Sequence, residues 1–407
     1  MRGGRVAVVG GSIAGCAAAL AVSRAGAAEV VVYERTAGRL ADRGVGVALH
    51  SDRYAELEAA GYVDAAMPWL PLTHRPWVVR DGSRRAGRAI AVLPFPFRSY
   101  NWGSLWRGLR ARIPDTVDYR GGAAVTAVVP AGDGAVLRLA EGGEERFDLV
   151  VGADGYRSVV REAVDPGAVP AYGGYLAWRG TLPAERLPGP ADAFREQDLV
   201  TVVFPGGHMV VYRIPASAGP GADVNWVFFT APPDAAGARF ADPAAGPDRV
   251  VDPLLARHQG DLVERHFPPF WQEVVRGTRA ENAFLQPMYD LATPRFAHGR
   301  LVLLGDAASL ARPHTGSGAI KALQDATVLE RVLRETDDLD GALRRYDAER
   351  APLGHQTLVL GRQLGLAQVQ RTPDWAAMDQ PAVERWWRSS GALTGFGGHA
   401  LPRRPVP

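Results

Sequence analysis

Hydrophobic positions along the chain fall into two kinds of run. RVAVVGG (5–11), FDLVVGADG (147–155) and GRLVLLGD (299–306) are continuous apolar segments that run into glycine or Asp-Gly and Gly-Asp pairs, the pattern of strands covered on both faces. Between the first of these and EVVVYER (29–35), the segment IAGCAAALAVSRAG (13–26) reads as a helix stopped by Gly26. Strand, glycine turn, helix and strand make a βαβ unit on a parallel sheet. Later the period changes to two: AYGGYLAWRG (171–180), DLVTVVFPGGHMVVYRIP (198–215) and DVNWVFFT (223–230) alternate around Gly and Pro turns. They lack βαβ spacing, so they predict a second, antiparallel part. Further helices are predicted at 50–67, 102–112 and 252–266, and in a tail that is helical to about 372 and then punctuated by proline and tryptophan. Hairpins are predicted between 123 and 155. The Pro-rich interval 68–96 reads as a crossing between the two parts, and 231–250 as loop.

Composition narrows the chemistry. With 407 residues, 47% hydrophobic and 22% charged, the chain has ordinary globular composition and room for two or three domains. A formal charge of +2 offers no basic field for nucleic acid. Cys16 is the only cysteine and the nine histidines form no HExxH or tight cluster, so intrachain disulfides are excluded and no metal site is expected. The apolar run from Val6 to Val22 is split by glycines and followed by Glu34, which argues against a signal peptide. Elsewhere nothing approaches the roughly 18 uninterrupted apolar residues of a membrane helix. The expected location is cytoplasmic, without stable membrane association.

The turn Gly10-Gly11-Ser12-Ile13-Ala14-Gly15 departs from a dinucleotide fingerprint by placing serine where glycine is usual. Serine is small enough to let a pyrophosphate approach the turn and the helix N-terminus, with a hydroxyl added. Glu34 ends the second strand, 19 residues beyond Gly15, where a carboxylate accepts from an adenosine ribose hydroxyl and disfavours a 2′-phosphate. Two further signals follow: Asp154-Gly155, with Arg157 and Arg161 spaced i,i+4, and Gly305-Asp306, leading through Pro313-His314 and Thr-Gly-Ser-Gly into a helix.

Taken in this order, the three motifs resemble those of the FAD-dependent aromatic hydroxylases of the para-hydroxybenzoate hydroxylase type, over residues 5 to about 345. The GGSIAG form and the PHxGSG-type segment look most like the 2,6-dihydroxypyridine 3-monooxygenase branch. The resemblance implies an α/β fold: a Rossmann-like FAD-binding domain with a parallel sheet, a smaller antiparallel-sheet substrate domain, and C-terminal helices. The expected boundaries are 1–74, 101–168 and 286–345 for FAD binding, 75–100 and 169–285 for substrate, and 346–407 for the helical region. It further implies that Gly10, Ser12, Ile13, Ala14, Gly15, Glu34, Arg35 and Asp154 hold the nucleotide. Asp306 would hold a ribityl hydroxyl, and Pro313 would line the flavin. The amides from His314 through Gly316, Ser317, Gly318 and Ala319 would face its pyrimidine side, where a helix N-terminus favours negative charge. One departure is Trp102, which stands where many relatives carry an arginine; Arg107 is the alternative contact.

The implied reaction is hydroxylation of an electron-rich ring, a hydroxypyridine or phenol, with NADH or NADPH as transient hydride donor and O2 adding to give a flavin C4a-hydroperoxide. The expected partners are thus a small aromatic substrate and O2, and a homodimer is compatible with the chain. Such a ring needs a base or a strong acceptor beside its hydroxyl. On a strand at 208–214, His208, Val210, Tyr212 and Ile214 share one face, which makes His208 and Tyr212 the first substrate candidates, with His314 near the flavin. Arg195, Tyr175, Trp178, Trp226 and Gln286 are weaker ones. The bland alternative has His208 capping a turn and Tyr212 covering core. Three other functions compete: a halogenase, opposed by the presence of one lysine only, Lys321; a reductase or oxidase without oxygen insertion; and a non-catalytic FAD-binding scaffold.

Overall fold

The computed structural model describes residues 3–38, 40, 45–189, 194–217, 219–243, 252–392 and 395–401. Strands Arg5–Val9, Glu29–Glu34, Leu149–Gly152 and Leu301–Leu303 are almost entirely buried, as their Val/Leu-rich runs require. They lie in a six-stranded sheet in the order 297–298, 301–303, 149–152, 5–9, 29–34, 118–121. All neighbours pair in parallel except the first two. Helix Ile13–Arg24 is buried from Ile13 through Val22. Its run of alanines presents small side chains on every side and lets it pack between sheet and neighbouring helices. Gly26, at φ 90°, turns the chain out of this helix in a conformation that other residues resist.

The eight-stranded second sheet runs 283–290, 171–183, 222–230, 207–215, 200–204, 70–79, 88–101, 46–50. It is antiparallel except between 200–204 and 70–79. Helices Pro253–His266 and Pro269–Arg276 supply Leu255, Val263, Phe270 and Trp271 to one of its faces, against Met209, Val211, Trp178 and Trp226. A three-stranded antiparallel sheet covers 125–147. Helices Gly318–Glu335 and Leu339–Gly365 and a π-helical turn, Leu366–Gln370, complete the frame, followed by Gln380–Ser389.

Two intervals are more ordered than their composition suggests. The interval 68–96 carries the chain into the second sheet as most of a long hairpin, Leu70–Val79 with Arg88–Asn101. Its register shifts between Leu72 and His74 and between Trp77 and Val78, irregularities of the kind that accommodate proline in a sheet. Within 231–250, the described part contains the short helical turns Asp234–Gly237 and Ala238–Ala241; 244–250 lie outside the described residues.

Candidate active site

Strand order brings the distant motifs together. Asp306, Asp154, Gly10 and Glu34 stand at the C-terminal ends of four adjacent strands, in the order 301–303, 149–152, 5–9 and 29–34, the edge where open α/β sheets bind ligands. That edge opens into a cavity of about 620 Å³ whose far wall is the uncovered face of the second sheet. Gly10, Ser12, Ile13, Ala14, Glu34, Arg35, Asp154 and Asp306 line one end. Pro313, His314, Gly316, Ser317, Gly318, Ala319, His208 and Tyr212 line the rest.

At the nucleotide end the glycine turn is clamped. Glu34 Oε2 accepts from the Gly11 amide at 2.8 Å, and Oε1 accepts from the Thr36 amide at 2.9 Å. Trp106 and Tyr119 donate to the Gly11 carbonyl from behind at 2.8 and 2.9 Å. Glu34 therefore shapes the turn, and each of its oxygens keeps a lone pair for a ribose hydroxyl. Ser12 caps helix 13–24 without a side-chain hydrogen bond, and the first turn carries no acid, so its amides face the cavity unneutralised. Asp154 Oδ2 accepts from Val159 N at 2.8 Å, while buried Oδ1 has no partner. Desolvation raises the Asp154 carboxyl against the hydrogen bonds from Ser158 and the following amides.

Asp306 rests on a buried ionic frame. Gly305, at φ 57°, donates to Asp325 Oδ2 at 2.9 Å, and Lys321 Nζ donates to the Gly305 carbonyl at 2.8 Å and to Asp325 at 3.1 Å. Arg350 Nε meets Asp325 Oδ1 at 2.7 Å. Lys321 is thus enclosed and engaged in holding the turn, not presented to a substrate. Arg161 links the neighbouring turns by donating to the Ala307 and Tyr156 carbonyls. The surrounding protein raises the Asp306 carboxyl although the residue is exposed to the cavity, with Lys321 opposing and Asp325 reinforcing it.

Two sequence candidates stand apart from the cavity. Arg107 donates to Ser104 Oγ and the Ser217 carbonyl and does not line it; five positions along a helix carry it round from Trp102, which does. Gly15 supports the turn by packing, because a Cβ there would meet the Gly10 carbonyl oxygen at 1.8 Å.

At the other end, alternation along Gly207–Pro215 sends His208, Val210 and Tyr212 to the cavity and Met209 and Val211 into core. Tyr175 packs under His314, and Gln286 lines the wall. Trp178 and Trp226 lie in the core on the opposite face, and Arg195 is exposed outside the cavity. Sequence reasoning missed Arg75, Arg179, Gln368 and the role of Arg312. Arg75 donates to Thr201 Oγ1 at 2.9 Å and lies over the Trp77 ring at 4.4 Å. Arg179 donates to Gln286 at 3.1 Å. Among the described residues, the salt bridges include none to Arg75 or Arg179. Of these, only Arg179 stands in a run read as an alternating strand, 171–180, where a charged residue among apolar ones was the signal available.

These charges set the protonation of their neighbours. Desolvation first, and Arg75 second, push the His208 imidazole down to about 3. His314 is held well below its ordinary value by desolvation, then by His208 and the nearby arginines. Burial pushes Tyr212 up to about 12 against Arg179, and burial lowers Arg75 to about 9. Of the two roles open to His208, base or strong acceptor, a neutral buried imidazole fits the acceptor. The measurable consequence is acid lability. A histidine that titrates near 6.5 when unfolded and near 3 when folded stabilises the fold fully only above its unfolded value and loses that contribution as pH falls. Urea unfolding of wild type and His208→Phe is expected to diverge by about 1.4 kcal/mol per pH unit below about pH 6.5. Parallel curves would contradict the assignment.

The chain matches a family model described as FAD binding domain-like over residues 172–290 and one described as FAD binding domain over 278–360. It is 28% identical over 366 residues to a 2,6-dihydroxypyridine 3-monooxygenase of Paenarthrobacter nicotinovorans, covering 87% of this chain and 89% of that protein. It is 31% identical over 367 residues to a 3-amino-4-hydroxybenzoate 2-monooxygenase of Streptomyces platensis, covering 86% and 84%. The solved structure of 2,6-dihydroxypyridine-3-hydroxylase from Arthrobacter nicotinovorans superposes with a TM-score of 0.80 at 25% identity, covering 99% of this chain and 98% of that one.

Proposed function

Because the chain belongs to the FAD-dependent aromatic hydroxylases, we propose that its cavity holds FAD from the Glu34 turn to the Gly318 amides and takes a hydroxylated aromatic ring against His208, Tyr212 and His314. The chain is an NAD(P)H-dependent flavoprotein monooxygenase. The observation that carries the site reading is the pair of helix N-termini, at Ile13 and Gly318, that open into one cavity without an acid in either first turn.

The residues present fit FAD. At Gly318 an added Cβ would meet no protein atom within 4 Å, although Gly318 lines the cavity, so that glycine leaves room for something other than protein. Asp154 Oδ1 is an unpartnered buried acceptor. In this arrangement the amides at Ile13 and Ala14 would hold the pyrophosphate, Glu34 the ribose, Asp306 the ribityl chain, and the amides beyond Pro313 the flavin. Bound FAD supplies hydride acceptance from NAD(P)H and oxygen transfer.

The chain's own residues bind and orient the ring. Val210, Val227 and Phe229 form an apolar floor, which excludes water. Arg75 and Arg179 supply positive potential towards a ring oxygen, favouring negative charge as it develops there. Substrate identity follows the relatives: a hydroxypyridine or a substituted phenol. A cytoplasmic location accords with a lone buried cysteine, and among the described residues no helix is long and apolar enough to cross a membrane.

A screen of hydroxypyridines and phenols tests this reading. At least one ring should accelerate NADH or NADPH oxidation in the presence of O2 and leave with one added oxygen atom. Oxidation yielding only peroxide with every ring would favour an oxidase, and bound FAD that no ring renders reducible would favour a scaffold.

A further inference from the structure

Two buried imidazoles lie beside each other in the cavity wall with opposite hydrogen-bonding sense. Their ring centroids are 5.2 Å apart, and His208 and His314 are 1% and 7% exposed. His208 Nδ1 lies 3.1 Å from the main-chain carbonyl of Gln368. A carbonyl only accepts, so Nδ1 carries the proton and Nε2, which has no partner, presents a lone pair.

His314 is set the other way by its neighbours. Its Nε2 is 2.7 Å from the Tyr175 hydroxyl, which also receives Arg312 Nη1 at 3.1 Å. A guanidinium only donates, so the phenol oxygen accepts from it, and among the described residues His314 Nε2 is the only acceptor recorded for the phenol proton. The ring proton of His314 therefore sits on Nδ1, which is buried and without a partner. Arg312 is itself fixed by Asp290 at 2.5 and 2.6 Å, and Arg362 braces Asp290 at 2.8 Å. Three glycines make space for it: a Cβ at Gly173, Gly361 or Gly365 would come within 2.9, 3.2 or 2.6 Å of the Arg312 side chain. Burial first, then Arg75 at His208 and His208, Arg312, Arg75 and Arg179 at His314, disfavours a second proton on either imidazole, which preserves the asymmetry.

We propose that this pair reads a ring edge offering a hydrogen-bond donor to His208 Nε2 and an acceptor to His314 Nδ1–H, as a pyridone N–H and C=O, or one undissociated ring hydroxyl, provides. The proposal rests on the cavity being the ring-binding site. Tyr175 acts as a positioning residue through its hydrogen bond to His314, and Arg312 through its hydrogen bond to Tyr175. The ring therefore enters with its proton on, and a methyl group in place of that proton leaves His208 Nε2 buried and unpaired.

The test titrates FAD-loaded protein with 2-pyridone, N-methyl-2-pyridone, phenol and anisole, by calorimetry or ligand-observed NMR. In wild type, methylation is expected to weaken binding at least ~10-fold, and in His208→Phe the gap should close to within ~2-fold. The larger gap, pyridone or phenol, identifies which source the pair reads. Independently, ¹⁵N NMR should place the His314 proton on Nδ1 in wild type and shift it towards Nε2 in Tyr175→Phe. Equal affinity for parent and methylated probes overturns the inference while leaving the hydroxylase reading intact. So does an Nε2–H His314 in wild type, a result that stands even if a variant fails to fold. Failure of all four probes to bind overturns the ring-site reading and this inference with it.

Discussion

Gly318→Ala is expected to weaken FAD binding at least ~10-fold, about 1.4 kcal/mol, while the FAD-free protein melts no lower than wild type. Most glycines here answer to packing or to φ. Gly318 answers to neither: its φ is not in the left-handed region, and nothing lies within 4 Å of its would-be Cβ. Alanine is, if anything, the better residue in a helix, by up to about 1 kcal/mol. The cost of a side chain at Gly318 thus falls only on a ligand that must approach the amides of Gly318 and Ala319. Gly15→Ala gives the contrast, because a Cβ 1.8 Å from the Gly10 carbonyl oxygen forces backbone to move and should lower the melting temperature and FAD affinity together. Fluorescence titration with FAD and thermal melts of both variants separate the two cases. A Gly318→Ala protein that binds FAD like wild type would remove that end of the proposed site.

Asp325→Ala should cost roughly 3–5 kcal/mol of stability, the range for breaking a buried pair from one side. Asp325 is fully buried and receives the Gly305 amide, Lys321 and Arg350, so its removal strands two enclosed cations and a main-chain donor. Burial alone would raise its carboxyl, but Lys321 and Arg350 outweigh that and hold it below the ordinary carboxylate range. The sign follows: the contribution is complete above the unfolded value near ~3.9 and is lost as pH falls through the lower folded value. Urea unfolding should show the full deficit of Asp325→Ala at neutral pH and a shrinking one below about pH 4. Because this frame carries the Gly305 turn, the variant should also lose FAD affinity through Asp306. An unaltered unfolding curve would contradict the frame's role.

The nucleotide half of the site was legible in the sequence because each of its parts is local. A buried strand, a turn that demands glycine and a carboxylate at the next strand end are all set within about forty residues, and parallel strand order aligns the three turns. The second half was only partly legible. Period-two alternation assigns His208 and Tyr212 to one face, but it cannot say which face is covered by helices, and so Trp178 and Trp226 looked as promising as Tyr175. Arg75 and Gln368 reach His208 from segments 133 and 160 residues away in sequence; burial first and Arg75 second keep the imidazole neutral, against the Gln368 carbonyl, and no local pattern announces either neighbour. The long hairpin 70–101 was hidden by its prolines. Arg107 entered only as the alternative to Trp102, and which of the two faces the cavity depends on how the helix packs, which motif spacing does not give.

A structure of the protein with FAD tests the central claim most directly. The account predicts one FAD lying between Glu34 and the Gly318 amides, past Asp154 and Asp306, with its ring edge open towards His208 and Tyr212. A cofactor ring bound away from the Gly318 amides, or protein that takes up no FAD at saturating concentration, would contradict it.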